Sequence, residues 1–141
     1  MLNEYQKRGV SVTLRIVEER INDIEQILNS KAYTGILYDT NCNISPEKKE
    51  EILKRVSFTK DRILYLSQKF DLTKERRKAT SEIFGILPYC LEIIDNIRAK
   101  QLERYGNITN GLDSVLDPHL DIMINLLLEI EHFLREAPKL F

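Results

Sequence analysis

The sequence predicts an all-α fold, an antiparallel up-down-up-down bundle of four helices with a bend at Pro88 in the third. Three observations carry that expectation. Apolar residues recur at alternating spacings of three and four along every long segment, the period of one helix face. Two prolines stand directly after a Ser or an Asp, Ser45-Pro46 and Asp117-Pro118, in the pattern of a helix start. The helical period also fills the long segments, leaving little room for a strand.

Helix 1 is expected over residues 5–33, with Val10, Leu14, Val17, Ile21, Ile24 and Leu28 on one face. Thr34-Gly35 interrupts the pattern. The following Asp39-Thr40-Asn41-Cys42-Asn43 is rich in side chains that compete with helical hydrogen bonds, so residues 34–45 read as a loop. Ser45-Pro46-Glu47 then starts helix 2, expected over 46–70. Ser accepts a bond from a free amide, Pro has no amide to leave unpaired, and Glu favours the positive end of the helix dipole. Its seam is Ile52, Val56, Thr59, Ile63, Leu66 and Phe70.

Asp71-Leu72-Thr73 is short enough to force a tight reversal, with Thr73 as the cap of helix 3, expected over 74–105. The seam of helix 3 reads Ala79, Ile83, Ile86, Cys90, Ile94 and Ile97. Gly85 and Pro88 lie inside it; Pro88 deletes one backbone hydrogen bond and crowds the preceding turn, so a bend is expected near residues 84–88. Gly106-Asn107 is a stop and Asn110-Gly111 a turn, after which Asp117-Pro118 starts helix 4, expected over 118–136.

A chain of 141 residues fits one domain, and residues 1–141 are expected to form a single helical-bundle domain. Apolar residues at 43% and charged residues at 30% suffice to fill an interior and solvate a surface, which excludes a disordered composition. A net charge of -1 gives no bulk attraction for nucleic acid or anionic membrane, so neither is expected as a partner. Cys42 and Cys90 are too few for a disulfide scaffold or a four-thiolate zinc site. The start, Met1-Leu2-Asn3-Glu4-Tyr5, lacks the basic stretch and apolar run of a signal peptide, so a cytoplasmic location is expected.

Several residues invite a chemical reading. Glu129 and His132 have the Glu-x-x-His spacing that di-metal helical bundles aim inward. At about 100° per residue, however, they share a face with Asp121, Asn125 and Glu136, while Leu120, Ile124, Leu127 and Leu134 lie opposite, so the pair is expected to meet water. Glu131 projects among those leucines, where a carboxylate needs a partner or an exit, and is a candidate buried carboxylate. Glu92 and Asp95 have one of the two spacings with which all-α nucleotide pyrophosphohydrolases hold magnesium. The other spacing fails, because Glu19 is followed three residues on by Asn22, and the chain is not identified with that family. Neither His follows an Arg at the spacing of the HEPN-type helical ribonucleases. Lys74, Arg76, Arg77 and Lys78 form a basic cluster that would oppose the dipole at the start of helix 3, which makes them the candidate anion-binding residues.

Excess apolar surface is the strongest functional signal. Helix 4 is apolar over more than half its circumference, with Ile122, Leu126 and Phe133 beyond the face that one partner needs. Helix 2 sets Phe58, Tyr65 and Leu72 seven apart, away from its seam, where either a second subunit or the loop residues Ile36, Leu37 and Tyr38 would cover them. These features lead to a non-enzymatic, self-associating interaction or accessory module, a homodimer or the binder of another protein, with no cofactor. A metal-dependent hydrolase acting on nucleotides or phosphoesters and an RNA- or anion-binding helical protein are the alternative readings.

Overall fold

The structure is a computed structural model; it describes residues 1–29 and 34–136, and among them it contains helices, turns and loops but no strand. The described elements are α1 (Glu4–Asn29), α2 (Pro46–Lys69), α3 (Ala79–Asp95), α4 (Ala99–Leu102), a 3-10 turn (Glu103–Tyr105) and α5 (Leu112–Arg135). The all-α class is as expected, but five α-helices stand among the described residues where the sequence predicts four. Their contacts gather into two compact units, Met1–Glu75 and Arg76–Phe141.

In the first unit α1 and α2 pair as antiparallel neighbours: Lys60 Nζ donates to Glu25 Oε2 at 3.0 Å, and further along Arg15 meets Glu75. Asn3 and Gln6 close the start of α1 reciprocally, Gln6 N donating to Asn3 Oδ1 at 2.8 Å and Asn3 N to Gln6 Oε1 at 3.0 Å. Each side chain satisfies an amide that the first turn leaves free. The last turn expected for this helix falls on residues 30–33, outside the described residues. In α2, Ser45 caps as its sequence implies, accepting from Lys48 N at 3.3 Å with Pro46 behind it. Leu28 and Val56 are buried between the helices, and Val10, Leu14, Ile21, Ile52, Ile63 and Leu66 are half-buried beside them. Burying one such side chain stabilises by about 1.5–3 kcal/mol, so two buried residues make a thin interior.

Helix 2 ends at Lys69, and Asp71 takes a left-handed backbone, φ 53°, that turns the chain. The segment 72–78 then runs without helix to Lys78, the residue before α3. Helix 3 therefore starts five residues later than the Thr73 cap predicts. Winding Lys74, Arg77 and Lys78 into a first turn would stack like charges at spacings of three and four against the positive end of the dipole. The basic cluster precedes the helix instead of opposing it.

In the second unit α3 and α5 pair antiparallel, with Arg135 over the Phe84 ring at one end and Arg98 donating to Asp121 at 2.7 Å at the other. Leu87, Ile94, Ala99 and Leu120 are buried there. Pro88 lies inside α3 without breaking it; the interruption comes at residues 96–98, where helix 3 was expected to continue to 105. Its cause is on α5: Asp117 Oδ1 accepts from Ala99 N at 2.9 Å and so begins a new short helix, α4. Asp117 is thus a helix cap, as its type implies, but for α4 and not for its own helix. Helix 5 starts at Leu112, earlier than the expected 118. Gly111, at φ 88°, makes the turn before it, a conformation that costs glycine little, and Pro118 sits on an exposed side of the second turn.

Candidate functional site

The acidic candidates are spread along exposed helix surface. Glu92 and Asp95 are exposed on α3; Asp95 Oδ1 accepts from Arg98 Nε at 2.6 Å. On α5, Glu129 and His132 are exposed, and His132 Nε2 lies 3.4 Å from Glu136. Asp121 is engaged by Arg98. Bonds from Asp95 first and Asp121 second hold the Arg98 guanidinium protonated even more firmly than usual. Among the described residues no three His, Cys, Asp or Glu side chains converge on a point that could hold a metal ion. Glu131 is half-buried on the inner side of α5, where Arg135 on the same helix donates to its Oε1 from Nε at 3.0 Å and from Nη2 at 2.7 Å.

Lys74, Arg76, Arg77 and Lys78 are exposed on non-helical chain, and Arg77 lies 3.8 Å from Glu82. In the first unit an open groove of about 530 Å³ runs between the start of α1 and residues 71–75. Lys7, Arg8 and Arg15 on its wall are matched by Glu4, Asp71 and Glu75. Arg15 is drawn to Glu75, which leaves its Nε out of contact with water and 3.6 Å from Glu19, too far for a hydrogen bond. A groove with its charges so matched has no excess of either sign with which to select an ion.

The apolar candidates are the ones left uncovered. Phe58 and Tyr65 are exposed on α2, 62% and 56%. Leu72 has left the helix and is half-buried along the groove, so the outer stripe of α2 holds two of the three expected residues. Ile36 and Leu37 are exposed at 100% and 96%, so these loop residues do not provide the cover that the sequence allows them. Four cations at intervals of seven, Lys48, Arg55, Arg62 and Lys69, run beside those aromatics on the exposed side of α2.

On α5, Leu120 is buried and Ile124, Leu127 and Leu134 are half-buried, while Ile122, Leu126 and Phe133 are exposed. Sequence reasoning missed that α3 is built the same way. Its packed row is Ile83, Leu87, Leu91 and Ile94, which shares Ile83 and Ile94 with the expected seam but takes Leu87 in place of Ile86, and a second row, Ile86, Tyr89 and Ile93, is exposed with Ile97 just past the helix end. The expected seam merges two apolar rows at helical spacing into one. The signal was present in the width of the stripe, which exceeds what one neighbour can cover.

No family model, curated protein or solved structure matches this chain significantly, so the reading of its function rests on these surfaces alone.

Proposed function

We propose that the chain is a non-enzymatic helical module that self-associates as a homodimer. The observation that carries this reading is the second apolar row of α5: Ile122, Leu126 and Phe133 are all more than half exposed on a helix whose other row is already packed. Contiguous apolar surface of that extent marks an interaction site on a water-soluble helix. Each unit is also short of interior. Among its described residues the first unit, 75 positions long, has two buried side chains, whereas a segment of this size depends on a well-filled core or on association for its stability. In this reading a four-helix core forms between two copies, where the sequence predicts one within a single chain.

The metal-dependent hydrolase reading has no arrangement to favour it, since Asp95 and Asp121 are engaged by Arg98 and Glu129 faces water. The anion-binding reading rests on four exposed cations of which Arg77 already has a carboxylate neighbour. Sedimentation equilibrium of the full chain tests the proposal. A mass twice that of the chain at tens of micromolar is expected, and a monomer at several hundred micromolar would sink it.

A further inference from the structure

We infer that the dimer interface is one face of the α3–α5 hairpin, and that two such faces close into an antiparallel four-helix core. This rests on the self-association reading and names its surface, which differs from the outer stripe of α2. The argument starts from Arg98. It reaches Asp95 on α3 and Asp121 on α5 together, so the flanks carrying those two aspartates lie on the same side of the hairpin. At about 100° per residue, the exposed rows Ile86-Tyr89-Ile93 and Ile122-Leu126-Phe133 occupy the opposite flank of each helix. Both rows therefore share the other side. The hairpin has an acidic face and an apolar face.

Register makes the apolar face continuous. Carrying the contacts Arg98–Asp121 and Arg135–Phe84 along the two antiparallel helices sets Ile97 level with Ile122 and Ile93 with Leu126. It likewise sets Tyr89 level with Ile130 and Ile86 with Phe133. Four apolar levels follow one another at about one helical turn each. Besides Tyr89 and the half-buried Cys90, the ionisable groups of the two helices that project on this side are Glu82 and His119.

A second copy is the occupant that fits. With Val115 and Met123 the face presents ten large apolar side chains, exposed by 41% to 68%. They offer on the order of 1,000 Å², against the about 800 Å² per partner that a stable interface buries. A surface nearly free of charge has nothing with which to select a charged partner, and two apolar rows in register are complementary to themselves under a two-fold axis. A lipid surface fits less well: membrane-lying helices carry cations on their polar side, whereas this hairpin carries Glu92, Asp95, Asp121 and Glu129 there. Tyr89, toward the rim, keeps its hydroxyl in water.

The test is sedimentation equilibrium on the full chain with single variants, helicity being checked by circular dichroism. Leu126→Glu and Ile93→Glu are expected to raise the dissociation constant by about 100-fold or more, because each sets a carboxylate into the joined core. Leu128→Glu, exposed on the other flank of α5, and Phe58→Glu on α2 are expected to leave it within about three-fold. Should Leu126→Glu lose helicity, Phe133→Ser near the helix end carries the same expectation at about ten-fold. A dimer that survives Leu126→Glu and Ile93→Glu but dissociates in Phe58→Glu would overturn this interface and leave self-association standing. Equal weakening by Leu128→Glu would also overturn it. A wild-type chain that stays monomeric would remove both readings.

Discussion

Unit Met1–Glu75 and unit Arg76–Phe141 are each built on an antiparallel pair of long helices, yet they spend their polar residues differently. In the first, charge is distributed around both helices: Lys60 meets Glu25 within the pair, Arg15 meets Glu75, and α2 shows cations along its exposed side. In the second, most of the charge gathers on one face, where Arg98 ties Asp95 to Asp121, and the opposite face is largely apolar on both helices, with Glu82 and His119 at its edges. The contrast teaches where function is to be sought. A helix pair with mixed faces is suited to standing in water, whereas one with an unbroken apolar face is incomplete until something covers it.

Truncating the two interiors is the strongest way to test that contrast. Leu120→Ala removes a side chain that is 3% exposed on the packed side of α5, and is expected to destabilise the chain by about 3–4 kcal/mol in urea unfolding. Leu28→Ala, near the end of α1 where fewer neighbours are buried, is expected to cost about 2 kcal/mol because the thinner interior can relax around the loss. A larger loss at Leu28 than at Leu120 would reverse the ranking of the two interiors.

Much of this was legible in the sequence, and the failures have physical causes. Ser45-Pro46 set the start of α2 correctly because a cap acts on its own next turn, a purely local effect. Leu120, Ile124, Leu127 and Leu134 were placed on the inner side of α5, and Glu129 and His132 away from it, because helical period alone decides a helix face. The other Ser/Asp-Pro signal misled. Asp117 makes the bond its chemistry favours, but to Ala99, eighteen positions earlier in the chain, and tertiary geometry of that kind has no local signature. Thr73 has the chemistry of a cap and points to a helix start at 74, but the repulsion within the basic run 74–78 opposes winding it. On α3 the rows Leu87-Ile94 and Ile86-Ile93 are neighbours in sequence, and spacing cannot say which one meets α5.

Asp117 supplies the next test, because its cap reaches from α5 to the start of α4 in the second unit, whereas Ser45 in the first caps its own helix. Asp117→Ala leaves the Ala99 amide without its acceptor in a place water reaches poorly, and is expected to cost about 1–2 kcal/mol. Amide exchange should quicken first at Ala99 and through α4. Asp117→Asn keeps an acceptor oxygen and is expected to lose about half as much. Unchanged exchange at Ala99 in the alanine variant would mean that α4 is held by its packing and not by this bond.

The smallest effect belongs to the first unit's cap. Ser45 is exposed, and its hydroxyl lies 3.3 Å from Lys48 N, beyond the usual range for a strong bond. Water can replace it at little cost. Ser45→Ala is therefore expected to lower stability by about 0.5 kcal/mol, and Ser45→Asp to recover it because a carboxylate there also meets the positive end of α2. The two caps thus rank by burial and not by chemistry. A Ser45→Ala loss matching that of Asp117→Ala would show that α2 leans on its own first turn more than on α1, making helix propensity rather than packing the main support of that unit.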